Sequence, residues 1–549
     1  MLFTRQHKAF RAALALSAFI ACGGLCLAQT AARTGQRGSV SAASDAVVAE
    51  GVAALERGDA ATARAIFEKA LRLNPNDAEA HKYLGLIADR DGDLAEAERH
   101  FARAARLLPT SASARNNYGV ILLRLNRPRE AAAEFEASLR ADPQQPNALV
   151  NLAQIRFNAG GPEDLRAAAD LFARADRIAP DAEIARALTV IALRRGDAAA
   201  AATHYQSYAG RLATGGASAV DARARAELGA ALLEAGLSKE AEAESSASLR
   251  LDPSNVEVIV QLARAQLARK DIPAAGRTLE GAVARGIESA PVYALLAEVY
   301  EQAGHLENAI PAMRLAIQRD PQSEKYRFAY GLLLTNAYAP AAAAIRLEEA
   351  LKVFPDSPRL WFALGLAHFK QDKDEESVRA LGRAVELDQK FAPAYAYLGM
   401  LSVKKGAFAD AVAQYEKALR ADPQLTVVHY LLGDALYRQT GGDAARAESH
   451  LRQAAESDPT FAQARLSLAK LLIRAERWTD AIKELEKVTA LDPNSAEAFY
   501  QLGRVYTRLK RTAEAQAAVE TFKRLSETQK KQDESELREV VRRLGNVRF

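Results

Sequence analysis

Residues 392–425 read APAYAYLGMLSVKKGAFADAVAQYEKALRADPQL, and this stretch decides the fold. Its pattern returns with a fixed period along most of the chain. Gly399 of the stretch recurs as Gly365 and Gly331 upstream and as Gly433 downstream, always 34 residues apart. A period of this length is typical of a solenoid, in which each repeat is one helix-turn-helix and neighbouring repeats stack.

Each repeat is predicted to contain two helices. In the quoted stretch, helix A covers about 392–405 and helix B about 408–421, with Gly406 ending the first. Pro423 ends the second, because the residue before a proline is disfavoured in the helical region. One such pair cannot bury its own apolar face, so neighbouring repeats must stack.

Small residues recur where the two helices are expected to cross. With Ala392 as position 1, position 8 is mostly glycine or alanine, and position 20 is alanine in every repeat except for Ser377. Position 24 is aromatic in six repeats, as Phe67, Phe101, Phe135, Phe172, Tyr205 and Tyr415. This pattern resembles the tetratricopeptide repeat family over residues 44–529, in fourteen repeats. The resemblance implies an all-α fold, a right-handed superhelical solenoid whose inner groove is lined by helix A at positions 2, 5, 6, 9, 12 and 13.

Residues 1–28 have the composition of an export signal, with basic residues first and an apolar run over 12–21. The small-x-small sequence 26–28 provides a cleavage site. One alternative is an uncleaved anchor, for which the apolar run is short. Another is lipidation at Cys22, which follows a loose bacterial lipobox. We expect cleavage and an exported bacterial protein, periplasmic or secreted, without a transmembrane span, with a membrane-anchored lipoprotein as the alternative.

Cleavage would remove both cysteines of the chain, Cys22 and Cys26, and three basic residues. The mature chain would then have no thiol and nearly equal numbers of basic and acidic residues. A near-neutral chain lacks the excess positive charge of general nucleic-acid binders. We therefore expect no nucleic-acid partner.

The remaining boundaries follow from the repeats. We expect a flexible leader over 29–43, an N-terminal array of five repeats over 44–215, a linker over 216–221, an array of nine repeats over 222–529, and a tail over 530–549. The linker lies in the run TGGASAVDA, which suits either a joint or a simple loop.

The tail, 530–549, has an apolar helical face formed by Leu537, Val540, Val541 and Leu544. We expect a capping helix that shields the last repeat from water, as solenoids require. Docking to a partner is the alternative.

No pattern for catalysis or metal binding is present in the sequence. The eight histidines look scattered, and no H-E-x-x-H, Cys/His cluster, nucleophile elbow or Walker loop occurs. The turn 89–93 superficially resembles a calcium loop, but His100 stands where the bidentate glutamate is required. We expect a solvated turn there, no catalytic residue, no metal, no cofactor and no enzyme activity.

The groove positions of the first repeats carry amides. The family's clamp for a terminal carboxylate is matched by Lys82 and Asn117 but not by Leu86, Asn147 or Asn151, so we exclude it. Asn117 and Asn151, both at position 6, also resemble the asparagine ladder of the repeat domain in O-linked glycosyltransferases, which holds peptide backbone. Two rungs are only a fragment of that ladder.

The groove positions of the later repeats carry rings and cations. Position 5 holds Phe328, Phe362, Tyr430 and Tyr500, position 6 adds Tyr397, and position 9 holds Leu332, Leu366 and Met400. Position 13 holds Lys370, Lys404, Arg438, Arg474 and Arg508. An apolar floor with a basic edge suits an extended or helical segment with acidic and aromatic residues. Alternatively, the cations complement helix dipoles and the rings pack against neighbouring helices.

Two functions remain open. The first is a non-catalytic scaffold that binds partner proteins or peptides, acidic ones among them, in cell-envelope assembly, secretion or polysaccharide export. The second is a binder of an anionic polymer or glycan through the basic row. A continuous apolar floor would favour the first, and an isolated basic strip the second.

Overall fold

The structure is a computed structural model, and it describes residues 39–214 and 221–526 together with Arg543. This part of the chain contains 28 α-helices and no β-strand, which confirms the all-α prediction. Contacts divide the chain into two compact units, Met1–Asp271 and Ile272–Phe549, called here the N-terminal and C-terminal units. None of the described helices is both long and apolar enough to cross a membrane.

The N-terminal unit contains the first thirteen helices. They are α1 (Ser39–Glu56), α2 (Ala60–Leu73), α3 (Ala78–Asp91), α4 (Leu94–Leu107), α5 (Ala112–Arg124), α6 (Pro128–Ala141), α7 (Pro146–Ala159), α8 (Pro162–Ile178), α9 (Ala182–Arg194), α10 (Ala198–Thr214), α11 (Ala222–Glu234), α12 (Ser238–Leu251) and α13 (Val256–Ala268).

The C-terminal unit contains the remaining helices. They are α14 (Ile272–Ala284), α15 (Ala290–Gln302), α16 (Leu306–Arg319), α17 (Glu324–Asn336), α18 (Pro340–Val353), α19 (Pro358–Phe369), α20 (Asp374–Leu387), α21 (Ala392–Lys404), α22 (Phe408–Ala421), α23 (Thr426–Arg438), α24 (Ala444–Ser457), α25 (Ala462–Arg474), α26 (Trp478–Leu491), α27 (Ala496–Arg508) and α28 (Thr512–Ser526).

The helix boundaries agree with the repeat pattern to within a residue in the quoted stretch, where α21 and α22 are the predicted helices A and B. The first helix begins earlier than expected, at Ser39, so residues 39–43 of the predicted leader are helical. The predicted signal, 1–28, lies outside the described residues. So do the linker, 216–221, apart from Asp221, and the tail, 530–549, apart from Arg543.

The turn between helices A and B has one backbone geometry throughout. Gly92 ends α3 at φ 84°, in the left-handed region that glycine adopts without a Cβ penalty. Repeats without glycine at this position keep the same geometry, as in Asn126 at φ 60° and Asp372 at φ 56°. The repeated feature is therefore the turn conformation rather than the residue that adopts it.

The crossing of helices A and B explains the small residues. A Cβ on Gly399 would lie 2.4 Å from the ring of Tyr415, and one on Gly85 would lie 2.9 Å from the ring of Phe101. The side chain at position 24 thus fills the space above position 8, and Ala411 at position 20 is fully buried beside it. Close-packed interiors do not accommodate an extra side chain there.

Candidate functional site

The aromatic side chains predicted for the groove of the C-terminal unit pack against one another. Phe362 lies 5.2 Å from Phe391 and 5.8 Å from Tyr397, measured between ring centroids. Phe362 is 3% exposed and Tyr397 is 1% exposed, and Phe328 is also buried. The packing alternative of the sequence is therefore confirmed for Phe362 and Tyr397, while partner binding by these rings stays a prediction.

The later rings are more accessible. Tyr430 is half-buried and meets the ring of Phe461 edge-to-face at 4.9 Å. Tyr500 is 41% exposed, with Phe522 at 5.3 Å and the guanidinium of Arg504 at 5.7 Å from its ring. Tyr430 and Tyr500 are therefore the position-5 rings with surface to offer a partner.

The apolar groove residues belong to one buried core cluster rather than to separate ones. This cluster contains Phe328, Phe362, Leu366, Tyr397 and Met400, and Leu332 and Tyr430 pack against it. These seven residues lie in four consecutive repeats. We call the groove positions of residues 328–430 the apolar floor.

The five cations of position 13 all lie at the end of a helix A. Four of them are the last residues of their helices, namely Lys404, Arg438, Arg474 and Arg508, and Lys370 directly follows α19. Their charge therefore complements the partial negative charge of the helix C-terminus. All five are exposed.

Several of these cations also contact the preceding repeat. Lys404 Nζ lies 2.8 Å from Asp372 Oδ1 and 2.9 Å from Asp374 Oδ1, and these hydrogen bonds raise the pKa of Lys404. The guanidinium of Arg474 donates to the carbonyl oxygen of Tyr437 at 3.4 Å and lies over its ring. The row therefore joins neighbouring repeats as well as presenting charge.

Arg438 has both an aromatic and an acidic neighbour. Its guanidinium lies 4.8 Å from the ring centroid of Phe408 in the preceding repeat and 3.5 Å from Asp434 Oδ2 in its own helix. Asp434 occupies position 9 of the groove and also accepts a hydrogen bond from Ser467 at 3.3 Å. Burial raises the pKa of the Asp434 carboxyl. The row of position-13 cations thus has an acidic side chain, Asp434, beside it. It is not an isolated strip of positive charge.

The two predicted asparagines of the N-terminal unit are brought together through a third. The side-chain amide of Asn151 donates to Asn116 Oδ1 at 3.2 Å, and that of Asn116 donates to Asn117 Oδ1 at 3.5 Å. Asn116 is buried, while Asn117 and Asn151 are half-buried. Asn116 was not predicted as a site residue, although its place at groove position 5 of the repeat 112–145 was a usable signal.

The interpretation of the histidines as scattered is wrong for four of them. His81 and His100 face each other with their Nδ1 atoms 2.9 Å apart, and so do His429 and His450. Each pair joins position 4 of helix A to position 23 of helix B. Prolyl carbonyls 3.2 Å from His81 Nε2 and His429 Nε2 hold the proton there, so each Nδ1 accepts from its partner.

The described residues contain no group of three or more histidine, cysteine or acidic side chains that could hold a metal ion. In the calcium-like turn, the Asp93 side chain accepts from the Glu96 backbone at 2.9 Å and caps α4, and Asp89 forms an ion pair with Arg124. These carboxylates therefore have structural partners.

Sequence profiles described as "Tetratricopeptide repeat" match residues 48–112, 90–155, 290–323, 339–396, 440–491 and 472–525, and one described as "TPR repeat" matches 402–439. Together these matches cover more than half of the chain.

Among curated proteins, the chain is 23% identical over 219 residues to anaphase-promoting complex subunit 3 of Schizosaccharomyces pombe, covering 39% of this chain and 32% of that protein. It is 26% identical over 178 residues to BBSome complex member bbs-4 of Caenorhabditis elegans (31% and 38%). It is 23% identical over 201 residues to mitochondrial import receptor subunit TOM70 of Homo sapiens (35% and 33%). The chain spans about a third of the length of these relatives.

Two solved structures are similar to the chain at low sequence identity. The APC/C hetero-tetramer Cut9–Hcn1 has 14% identity and a TM-score of 0.39, covering 84% of this chain and 96% of that one. Yeast Tom70 has 16% identity and a TM-score of 0.36, covering 85% and 95%. The family assignment therefore rests on the profile matches and not on these two structures.

Proposed function

The chain belongs to the tetratricopeptide repeat family, and from that premise we propose that it is a non-catalytic scaffold that binds segments of partner proteins. The observation that carries the proposal is the accessibility of the position-5 rings Tyr430 and Tyr500 beside the exposed cations of position 13. Apolar side chains with aromatic anchors are what a bound peptide segment buries. The binding surface is the groove positions of helix A in the C-terminal unit.

The partner we propose is a segment that carries apolar or aromatic residues together with acidic ones. Its apolar side chains would meet the accessible rings of Tyr430 and Tyr500. Its carboxylates would meet the cations of position 13, which give orientation and rate of association more than affinity. The names of the curated relatives, two complex members and a receptor subunit, support a protein partner.

A binder of an anionic polymer is the second candidate, supported by the exposure of the cations from Lys370 to Arg508. Such a polymer requires a strip of uncompensated charge, because its affinity comes from phosphate or sulfate contacts alone. Asp372, Asp374 and Asp434 already compensate part of this strip. The geometry therefore favours peptide over polymer.

Panning a displayed random-peptide library against the purified chain, alongside heparin binding, tests the proposal. Selected peptides should bind in the micromolar range or tighter and lose most of their affinity in the double variant Tyr430→Ala/Tyr500→Ala. Heparin binding should be weak and unchanged by that variant. A chain that selects no peptide, yet binds heparin until its row is neutralised, would instead be a polymer binder.

The contribution of the position-13 cations is tested separately, with a matched control. Glutamine replaces the five cations of position 13, namely Lys370, Lys404, Arg438, Arg474 and Arg508. The control replaces five exposed cations of B helices, namely Lys352, Arg379, Arg420, Arg452 and Lys483. Only the first set should slow the association of an acidic peptide, and the difference should shrink as salt rises.

We also propose that the protein acts outside the cytoplasm, in envelope assembly, secretion or polysaccharide export. The support is the composition of residues 1–28. Analysis of the mature N-terminus in the native host should find Gln29. A lipidated Cys22 in the membrane fraction would overturn cleavage in favour of the lipoprotein.

A further inference from the structure

We propose that the partner segment binds with one of its carboxylates on the guanidinium of Arg504, on the groove side of α27. The inference rests on the proposed function and adds to it an anchoring residue, the chemical class that this residue binds and the spacing of the partner's residues. Arg504 occupies position 9 of the last repeat, outside the row of cations at position 13.

The groove positions of the last two repeats are basic, whereas those of the apolar floor before them are mostly apolar. They carry four cations and a single acid, Glu497; the cations are Lys470, Arg474, Arg504 and Arg508. Lys470 Nζ lies 3.2 Å from Glu497 Oε1, so this acid is already neutralised. The three arginines form no ion pair with any residue that the structure describes. Uncompensated positive charge therefore remains on this part of the groove.

The guanidinium of Arg504 is positioned by two neighbours in its own helix. Its Nη1 donates to Gln501 Oε1 at 3.2 Å, and it lies 5.7 Å from the ring centroid of Tyr500. Gln501 is buried and donates in turn to Glu497 Oε1 at 2.7 Å, so the amide that holds the guanidinium is itself fixed.

This arrangement leaves most of the hydrogen-bonding capacity of Arg504 for a ligand. A guanidinium has five N–H donors, of which Gln501 takes one. The side chain is exposed. Arginine binds a carboxylate with two parallel N–H···O bonds, which give direction as well as attraction. A positioned guanidinium with unused donors therefore suits an aspartate or glutamate side chain of the partner.

The helix dipole, which accounts for the cations of position 13, does not account for Arg504. The effect of a helix C-terminus falls off within the last turn, where Arg508 lies, and Arg504 is one turn earlier. The hydrogen bond and the ring contact of Arg504 both lie within α27. Lys404, by contrast, is bound by two aspartates of the preceding repeat. Arg504 therefore has a charge that neither its helix nor the preceding repeat uses.

The ring of Tyr500 beside Arg504 sets the spacing of the partner's residues. Residues four apart share a face of a helix, and four residues rise about 6 Å. Tyr500 is 41% exposed, so ring and guanidinium are open on the same face. Alternate residues of an extended segment point to the same side and lie about 7 Å apart. A segment with an apolar and an acidic residue two positions apart therefore matches this pair.

The test uses the whole chain and the peptides selected by panning. Each acidic residue of a selected peptide is replaced by its amide, and the affinity is measured by fluorescence anisotropy for the wild type and for Arg504→Gln. One such replacement should lower the affinity for the wild type roughly tenfold, as expected for a hydrogen bond between charged groups. The same replacement should have almost no effect in Arg504→Gln, because the two changes then remove one contact.

Two further variants separate this contact from net charge and from folding. Arg524→Gln removes an exposed arginine of α28 in the same repeat, so it changes the net charge equally and should leave the affinity unchanged. Arg504→Lys keeps the charge but loses the planar donor pair, so it should retain the association rate and dissociate faster. All three variants change exposed side chains and should melt with the wild type.

The outcomes distinguish this anchor from the proposed function. If peptides bind but no acidic residue is coupled to Arg504, or if the selected peptides lack acidic residues, the anchor is wrong while the proposed function stands. If no peptide is selected, the proposed function fails and the anchor fails with it. If in that case Arg504→Gln weakens heparin binding, the last two repeats bind an anionic polymer instead of a partner carboxylate.

Discussion

The two units of this chain use the same contacts between helices A and B but carry different side-chain contacts at the groove positions of helix A. In the N-terminal unit two neighbouring repeats are joined by amides, with Asn116 linking Asn117 and Asn151. In the C-terminal unit the contacts are apolar, with Phe362 and Tyr397 packed together in one cluster. The repeat pattern thus fixes the crossing of the helices and leaves the groove positions free to vary.

The difference shows where stability and recognition are separated in a solenoid. Positions 8, 20 and 24 are constrained because a ring or branched side chain fills the space above a glycine, as Tyr415 does at Gly399 and Phe101 at Gly85. Groove positions face no such constraint. In the C-terminal unit, however, groove rings have joined the core, so changing them affects stability as well.

The largest effect is expected for the buried groove ring. Tyr397→Ala should lower the free energy of unfolding of the C-terminal unit by ~3–5 kcal/mol, as for other large-to-small changes of buried aromatics. Asn117→Ala, at the same position of the N-terminal unit, should cost about 1 kcal/mol or less. Chemical denaturation with hydrogen exchange resolved by helix measures both. Equal losses would remove the contrast between the two units.

The helix crossing should respond alike in both units. Gly399→Leu and Gly85→Leu each force a side chain against a ring and should cost ~1–3 kcal/mol. The damage should stay in neighbouring repeats, because solenoid stability is close to nearest-neighbour. Gly382→Leu is the control, since a Cβ there meets no atom within 4 Å. Unchanged thermal unfolding of both crossing variants would contradict this account.

The histidine pairs give both units the same pH dependence. Burial lowers the pKa of all four imidazoles below the ordinary value of 6.5. As the pH falls below 6.5, the unfolded chain takes up protons that the folded pairs resist, so the free energy of unfolding should decrease. Above 6.5 both states are neutral and the dependence should vanish.

The pH prediction is measured by urea denaturation between pH 7.5 and 5. The double variant His100→Gln/His450→Gln should flatten the slope, whereas His305→Gln should not, since His305 is exposed. The charged groups facing the pairs also contribute and are unchanged in the variants: Asp77, Glu96, Arg64, Arg99 and Arg103 for the first pair, and Glu416 and Arg446 for the second. An unchanged slope in the double variant would show that the pairs do not control it.

The smallest effect is expected for an exposed cation that ends helix A. Lys404→Gln in the C-terminal unit removes the ion pairs of an exposed cation with the preceding repeat. Exposed pairs are worth ~0–1 kcal/mol, so the melting temperature should fall by a few degrees at most, and less at high salt. Arg124→Gln in the N-terminal unit leaves the buried carboxylate of Asp89 without its cation and should lower the melting temperature further. Equal losses in the two variants would contradict this difference.

Much of this fold was predictable because its determinants are local and periodic. The period of Gly399 and the alanines of position 20 located both helices of the repeat 392–425 to within a residue. The environment of Phe362 was not predictable, because it depends on Phe391 at the end of the same repeat and on Tyr397 in the next. Whether Phe362 packs in the core or faces a partner is decided by the stacking of neighbouring repeats. The sequence of a single repeat does not contain that information.

The histidine pairs were missed for a related reason. His81 and His100 belong to different helices, and no periodic feature connects position 4 with position 23. The only sign in the sequence was that a second repeat also carries histidine at these two positions, as His429 and His450. The contact of Arg543 with Asp458 spans 85 residues, and no local pattern indicates it.

The cations at the end of helix A contact the preceding repeat, and this has a consequence for the loss and duplication of repeats. Arg194 lies over Phe157 and Arg474 over Tyr437, each covering the preceding repeat in the same way. Each of these repeats therefore supplies one of the two contacting side chains at its boundary with the neighbouring repeat. Excision of residues 392–425 as a block would place Arg438 after Phe369, a ring at the position that Tyr437 occupies before Arg474. During evolution, whole repeats can thus be lost or duplicated while the contacts between repeats are kept. A deletion that ends within a repeat leaves a helix without its partner.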